Sequence, residues 1–259
     1  MEQLGNIKEA INIEKHYART RQLIQELQST VQASKRLTRD QERICRAFDL
    51  MLLVHFNQKD RPDGQPYINH PLDVTLHLVN EYKVYDADML VASLLHDTVE
   101  DNPKSILIWE GKDFFDGTAL TNQALLVIGK QFGENVSQLV DQLTNPDFDA
   151  EVKRLARDNE DKNTIKARLY REHFEKIYND NVWAFAIKMS DFSQNALHID
   201  VLEESPRKGW LRRKYGPVIL MVAQRLTELE NEEHPLFDAR DKISKNLLEV
   251  YERDYLSTT

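Results

Sequence analysis

Residues 89–101 read MLVASLLHDTVED, an apolar run that ends in four ionisable side chains within six residues. The spacing of the apolar residues predicts a helix that packs against a core. Ionised side chains are costly next to a core unless something compensates their charge, and a bound divalent cation does so directly. Because successive helical residues point about 100° apart, His96 and Asp97 can share an ion at their common edge, with Glu100 and Asp101 one turn further on. The alternative is a helix end that frays into solvent, which is the commoner outcome for an isolated His-Asp pair.

The composition predicts an all-α protein. The 259 residues include only eight glycines and eight prolines, and no alternating strand pattern persists beyond a few residues. We expect an extra N-terminal helix within an extension of residues 1–35, followed by one helical domain over residues 36–259. Residues 181–191 are apolar on nearly every face, which predicts a helix through the middle of the core. Residues 103–118 are expected to form a loop with a short helical turn, and the charged segment 149–166 either an exposed helix or a loop.

Charge and cysteine usage narrow the class of protein. The formal net charge of −9 argues against a protein that coats nucleic acid, although local cations can still bind an anionic substrate. The single cysteine, Cys45, excludes an internal disulfide, and its apolar neighbours predict a small core residue. The first residues have no secretory signal pattern, and no apolar run is long enough to span a membrane. The expected location is therefore the cytoplasm.

Two more polar residues are expected at buried positions, where a polar or charged side chain needs a compensating partner. His70 begins a helix directly after the Pro/Gly-rich loop of residues 57–67, and Asp191 lies near the end of the apolar helix. Each alone is commonly a cap, a packed ring or half of an ion pair. Together with His96 and Asp97 they supply two imidazoles and two carboxylates, a ligand set that suits manganese, iron or zinc. Whether the four converge depends on the fold.

Four segments occur in the order found in the hydrolase domain of the RelA/SpoT proteins. They are GQPYINHP (64–71), SLLHDTVED (93–101), FGENV (132–136) and IKMSD (187–191). Over about residues 40–230 the chain thus resembles the HD-domain metal-dependent phosphohydrolases of that family. It shows no sign of the family's synthetase domain, so it is most similar to the stand-alone small alarmone hydrolases, which include the metazoan SpoT homologues.

The resemblance implies a reaction and its catalytic centre. The family removes the 3′-pyrophosphate of the alarmones (p)ppGpp, and some members act on (p)ppApp or on the 2′-phosphate of NADPH. The products would be pyrophosphate and a nucleoside 5′-di- or triphosphate, formed by attack of a metal-activated water. Glu100 and Asp101 match the acidic pair that acts on that water. The positions that would hold one Mn²⁺ are His70, His96, Asp97 and Asp191.

The resemblance also implies substrate-binding residues. Arg61 falls where the family has a basic residue that stacks on the nucleobase, and Asn195 matches an asparagine that hydrogen-bonds the nucleotide. His198 shares a helical face with Asp191 and Asn195, where it contacts a phosphate or ribose or else packs as a surface histidine. Pro62 replaces a second basic residue of the family, which leaves the base preference open.

Three functions remain open on the sequence alone. The first is an Mn²⁺-dependent alarmone hydrolase with a small-molecule nucleotide substrate, which would oppose an alarmone synthetase in the stringent response or in a toxin–antitoxin pair. The second keeps the site and dephosphorylates NADPH or another nucleotide. The third is a non-catalytic module that binds a nucleotide or a protein partner; Glu100 and Asp101 argue against it, because a structural metal needs neither. A homodimer formed through the N-terminal helix is a further expectation.

Overall fold

The described part of the protein is built from α-helices and one π-helical turn. The computed structural model describes residues 14–111, 120–155, 161–197, 199 and 202–256, and within these ranges there is no β-strand, as the all-α prediction requires. None of the helices so described is both long and apolar enough to cross a bilayer. In chain order the helices are α1 (Ala18–Ala33), α2 (Lys35–Arg39), α3 (Gln41–His55), α4 (Asn69–Asn80), α5 (Ala87–Leu95), α6 (Thr98–Asp101), α7 (Pro103–Trp109), α8 (Leu120–Phe132), α9 (Glu134–Leu143), α10 (Phe148–Leu155), α11 (Lys162–Asp180), α12 (Val182–Ala196), α13 (Pro206–Thr227) and α14 (Arg240–Val250), followed by the π-helical turn Tyr251–Leu256.

The described residues fall into two compact units. The first takes those of residues 1–77 and 85–138, and the second those of residues 78–84 and 139–259. Helix α1 therefore lies in the first unit, together with α2 and α3. The division of the chain into an extension of residues 1–35 and a domain of residues 36–259 stays a prediction.

Helix α5 lies in the core of the first unit. Its first turn is capped by Asp86, whose side chain accepts a hydrogen bond from the backbone N–H of Met89 at 3.1 Å. Residues 89–95 are all buried, and α5 packs against α3. The helix ends at Leu95 and α6 begins at Thr98. His96 and Asp97 thus lie in the short connection between a buried helix and the next element.

The loop between α3 and α4 folds back on itself. The backbone N–H of Arg61 donates to the carbonyl oxygen of Gln65 at 2.9 Å, and that of Gly64 donates to the carbonyl of Arg61 at 2.8 Å. Gly64 has a φ of 77°, a backbone conformation that glycine adopts without strain. Helix α4 then starts at Asn69, with Pro71 in its first turn, where the missing N–H costs no hydrogen bond.

Helix α12 crosses the core of the second unit. The side chain of Asn181 caps it by accepting two backbone N–H groups of the first turn, at 2.9 and 3.2 Å. Residues 184–193 are all buried, which confirms the core helix predicted from its apolar surface. The ring of Phe174 on α11 packs edge-to-face on Phe185 and Phe192, with ring centroids 5.9 and 5.2 Å apart.

Cys45 is exposed, so the prediction of a core residue is wrong. The buried stripe of α3 includes Ile44, Ala47 and Met51. Position 45 lies about 100° around the helix from position 44 and falls outside this stripe. Apolar neighbours in sequence therefore predict the burial of a residue poorly when they lie on a different face of the helix.

Two segments fold more regularly than their composition suggests. Pro103–Trp109 form α7, which is longer than the short helical turn expected within this loop, because the side chain of Asn102 caps the helix and Ile106 and Leu107 are buried. In the charged segment 149–166, residues 149–155 belong to α10 and residues 162–166 to α11, which Asp161 caps. The helical alternative holds for these two parts of the segment.

Candidate metal centre

Three side chains of the first unit converge on one point. His70 comes from the first turn of α4, and His96 and Asp97 come from the connection between α5 and α6. One ligand atom from each lies within 4.8 Å of the others. The same oxygen, Asp97 Oδ2, is 3.2 Å from His96 Nε2 and 3.6 Å from His70 Nε2. Because ligand atoms about 2 Å from a shared ion lie roughly 3–4 Å from one another, this spacing fits a single divalent cation.

The hydrogen bond of His96 also suits a metal ligand. Its Nδ1 lies 2.7 Å from the backbone carbonyl oxygen of Ser93. A carbonyl oxygen only accepts, so Nδ1 carries a hydrogen, which leaves Nε2, on the side of Asp97, as the nitrogen that a metal can bind. Both histidines are buried, with His96 only 2 % exposed. The cluster therefore offers two imidazole nitrogens beside a carboxylate, the donor set expected of a site for a borderline divalent metal.

Tyr67 is a member of this site that the sequence prediction missed. Its hydroxyl donates to Asp97 Oδ2 at 2.7 Å, the oxygen that both histidines face. Its ring lies edge-on to the ring of His70, with centroids 5.8 Å apart. Tyr67 therefore holds the shared carboxylate in place. Its position three residues before His70, within the segment GQPYINHP, is the signal that would have identified it.

Asp101 is held by an amide at the end of α6. The side-chain N–H of Gln58 donates to Asp101 Oδ2 at 3.0 Å, and Gln58 Oε1 lies 2.6 Å from His55 Nδ1. Burial, and next the negative charge of Asp97, raise the pKa of Asp101. A carboxylate with a raised pKa accepts a proton more readily than an exposed one. Glu100, the other acidic residue predicted to act on water, is exposed on the same short helix.

His55 is a second residue that helps to hold Asp101 in place. Its side chain is fully buried at the end of α3, 3.6 Å from Asp101 Oδ2. Burial lowers the pKa of His55, which favours the neutral ring and a hydrogen bond from Nδ1–H to Gln58. Within the part of the chain that the structure describes, His55 Nε2 has no hydrogen-bond partner. A histidine on the buried face of an apolar helix was the sequence signal for this residue.

Arg61 lies close enough to Asp73 on α4 to affect the pKa of its carboxyl group. Burial raises the pKa of Asp73, whereas the charges of Arg19, His70 and Arg61 lower it. Asp73 lies three residues after His70. Arg61 is therefore one of the positive charges around its carboxyl group. Arg61 is half-buried in the Pro/Gly-rich loop.

The remaining predicted site residues belong to the second unit. Asp191 lies on α12, where its Oδ2 accepts a hydrogen bond from Lys188 Nζ at 3.0 Å and its Oδ1 accepts one from Asn195 Nδ2 at 2.6 Å. Lys188 and Asp191 are both buried, so the ion pair compensates the carboxylate charge. His198 lies outside the described residues. The metal-binding role of Asp191 and the substrate-binding roles of Asn195 and His198 stay predictions.

A family model described as HD domain matches residues 47–208. The chain belongs to the HD-domain family. The match includes the whole cluster of the first unit as well as Asp191, and it leaves α1 and α2 outside. The HD-domain assignment agrees with the all-α fold.

Several curated proteins similar to this HD-domain chain carry the name guanosine-3′,5′-bis(diphosphate) 3′-pyrophosphohydrolase MESH1. The Mus musculus protein is 26% identical over 197 residues, which cover 76% of this chain and 89% of that protein. The Homo sapiens protein is 26% identical over 203 residues, 78% of this chain and 93% of its own length. The Xenopus tropicalis protein is 31% identical over 146 residues, 55% of this chain and 70% of its own length.

A solved structure has the same fold. It is that of a metazoan ortholog of SpoT, described as hydrolysing ppGpp. It aligns with a TM-score of 0.51 at 21% sequence identity and covers 83% of this chain and 97% of the solved chain. The predicted HD-type helical fold is confirmed.

Proposed function

We propose that this HD-domain protein hydrolyses the 3′-pyrophosphate of nucleotide alarmones, (p)ppGpp and (p)ppApp. The products are pyrophosphate and a nucleoside 5′-di- or triphosphate. The observation that carries the proposal is the convergence of His70, His96 and Asp97, with Asp101 held by Gln58 one short helix away. A structural metal needs only ligands, whereas a neighbouring carboxylate held in place can serve a reaction. The names of the curated relatives point to the same reaction.

The metal we propose is Mn²⁺, held by the three clustered side chains and by Asp191. Two imidazoles and two carboxylates leave coordination positions open for water and substrate. When bound, a divalent ion of this kind lowers the pKa of water and polarises a phosphoryl oxygen. His70 and His96 present nitrogens from buried positions, and the Tyr67 hydroxyl keeps the shared oxygen of Asp97 oriented toward them.

Glu100 and Asp101 act on the attacking water in this proposal. They orient the water and take its proton as its oxygen attacks the phosphorus bound to the 3′-oxygen. The bond between that phosphorus and the 3′-oxygen breaks, the 3′-oxygen takes up a proton, and pyrophosphate leaves. Phosphoryl transfer needs mainly positioning and charge stabilisation, so carboxylates held by hydrogen bonds suffice.

The nucleotide is bound by the residues around the loop and α12. Arg61 stacks its guanidinium on the base, and Asn195 and His198 hydrogen-bond the ribose or a phosphate. The protein would act in the cytoplasm and oppose an alarmone synthetase. A homodimer through α1 stays a prediction.

Product analysis tests this function. The full-length protein with Mn²⁺ is incubated separately with ppGpp, pppGpp, ppApp and NADPH, and the released pyrophosphate or phosphate is identified by chromatography. We expect pyrophosphate from an alarmone, no product with the Asp97→Ala variant, and normal release with the control variant Asp49→Ala, which changes an exposed aspartate of α3.

Two results would contradict the proposal. Phosphate from NADPH alone would make the protein a nucleotide 2′-phosphatase. No product from any of the four compounds, with Mn²⁺ bound in stoichiometric amount, would leave a non-catalytic binding module.

A further inference from the structure

Residues 16–20, at and just before the start of α1, contact the segment that carries the candidate site. The four contacts are His16–Asp60 at 3.4 Å, Tyr17–Phe56 with stacked rings 6.5 Å apart, Arg19–Asp73 at 2.9 Å and Thr20–Asn69 at 2.6 Å. All four partners lie between residues 56 and 73, the stretch that includes the Pro/Gly-rich loop and His70. Helix α1 lies outside the HD-domain match. An addition to the HD domain thus contacts one residue of the loop, Asp60, and three residues that flank the loop, Phe56, Asn69 and Asp73.

The contact between Thr20 and Asn69 is the most buried of the four. Both residues are nearly inaccessible to solvent, at 4 % and 3 % exposure, and the Thr20 hydroxyl donates to Asn69 Oδ1. A buried amide oxygen that loses its donor keeps its full desolvation cost, because water does not replace the lost partner. Asn69 immediately precedes His70 in the first turn of α4. The hydroxyl of Thr20 therefore fixes the residue that leads into a cluster ligand.

Asn69 in turn restrains the loop through hydrogen bonds. Its Nδ2 donates to Gln65 Oε1 at 3.3 Å, and the backbone carbonyl of Gln65 accepts the N–H of Arg61 at 2.9 Å. A continuous chain of hydrogen bonds thus runs from Thr20 through Asn69 and Gln65 to the backbone of Arg61. Displacement of Asn69 would loosen both ends of the loop segment.

One ion pair and one histidine–carboxylate contact flank this chain. Arg19 pairs with Asp73, one turn after His70 on α4, and His16 Nε2 lies 3.4 Å from Asp60 Oδ1, next to Arg61. Residues 16–19 thus contact both the loop and the helix that follows it. If these contacts only stabilised α1, they would not all need to lie within residues 56–73.

We propose that residues 16–20 form a clamp that holds the loop of residues 57–68 and His70 in their working positions, with Thr20 as the central positioning residue. The nucleotide-binding part of this inference rests on the proposed function, because Arg61 and its loop would contact the base. The metal-binding part rests only on the cluster of His70, His96 and Asp97.

The test compares Thr20→Val, which removes the hydroxyl at nearly constant shape, with the conservative Thr20→Ser. The control is Thr144→Val, which removes a hydroxyl that donates to the carbonyl of Val140, one turn earlier at the end of α9 and away from the loop. Three quantities are measured on the full chain: amide hydrogen exchange of the 57–68 peptide, the Kd of the metal-free protein for Mn²⁺, and KM and kcat for ppGpp.

We expect Thr20→Val to accelerate exchange in the loop and to raise both the Kd for Mn²⁺ and the KM by about fivefold each, with little change in kcat, as the loss of one buried hydrogen bond predicts. Thr20→Ser should restore wild-type values, and Thr144→Val should leave all three quantities unchanged. If Thr20→Val does not fold, Arg19→Gln, at a half-exposed position, should shift the same quantities in the same direction by about twofold.

A folded Thr20→Val protein with wild-type loop exchange, Mn²⁺ affinity and KM would overturn the clamp. If the wild type does not hydrolyse any alarmone, loop exchange and Mn²⁺ affinity still decide whether the clamp exists. Failure of the clamp and failure of the proposed function therefore give different results.

Discussion

A single oxygen, Asp97 Oδ2, organises the candidate metal centre at the scale of residues. Two imidazole nitrogens face it, and the Tyr67 hydroxyl donates to it. The Tyr67 hydroxyl occupies one lone pair of Asp97 Oδ2 and fixes the rotation of the carboxylate. Outer hydrogen bonds of this kind orient metal ligands and commonly matter as much for affinity as for geometry.

Tyr67→Phe should therefore weaken metal binding without unfolding the protein. We expect the Kd for Mn²⁺ to rise about tenfold and kcat for alarmone hydrolysis to fall by a similar factor. Calorimetric titration of the metal-free protein and initial-rate kinetics measure both. Tyr85→Phe, the same change at an exposed tyrosine, is the control. Equal Mn²⁺ affinity in the Tyr67→Phe and wild-type proteins would refute the role of the hydroxyl.

Much of the cluster could be predicted from residue chemistry alone. His70, His96 and Asp97 are polar residues beside apolar helical runs, and the structure brings them together. Tyr67 and His55 were not predicted, because their roles arise from contacts across elements. A tyrosine in a loop and a histidine at a helix end have ordinary structural roles until the fold shows what they touch.

At the scale of elements, α11 and α12 form the aromatic core of the second unit. The rings of Phe174, Phe185 and Phe192 pack edge-to-face. Beside Phe174 on α11, His173 is largely buried. Its burial, and then the positive charges of Lys188 and Lys176, lower its pKa to about 4. The fold thus keeps this imidazole neutral where an unfolded chain would protonate it.

The free energy of unfolding should therefore decrease as the pH is lowered through a range that the pKa of His173 sets. As the pH falls through 6.5, the unfolded chain binds a proton at His173, whereas the folded protein does so only near pH 4. The unfolded state thus binds more protons between these values, so stability falls as the pH falls. The shift corresponds to up to about 3 kcal/mol.

His173→Gln should remove this part of the pH dependence. Urea unfolding of the metal-free protein at pH 6.5 and 4 should show a smaller loss of unfolding free energy for the variant than for the wild type, by up to about 3 kcal/mol. Identical losses in the two proteins would show that His173 titrates normally in the folded state.

Long elements were predictable where their pattern was strong. The all-round apolar surface of α12 predicted its burial correctly. The short α7 was predicted only as a helical turn within a loop, because seven residues carry too little periodicity. Its helical state depends on the Asn102 cap and on two buried side chains. The contacts of α1 with α4 could not be predicted either, since they join residues about 50 positions apart.

At the scale of the whole molecule, charge sets a requirement on binding. The chain carries a formal net charge of −9, and the proposed substrates are polyanions. The overall field therefore repels the substrate, and local cations must reverse the potential at the site. In this account the bound metal and the cations near Asp73 supply that reversal, and the acidic pair of α6 supplies the proton transfer.

The most direct test of the account is pyrophosphate release from ppGpp by Glu100→Gln, measured beside the wild type with equal Mn²⁺ content and the same circular dichroism spectrum. Glu42→Gln, at an exposed glutamate of α3, is the matched control. The account predicts that Glu100→Gln loses at least about 100-fold in rate while Glu42→Gln stays at the wild-type rate. Wild-type turnover by Glu100→Gln with metal bound would contradict the claim that the acidic pair beside the metal centre carries out the hydrolysis.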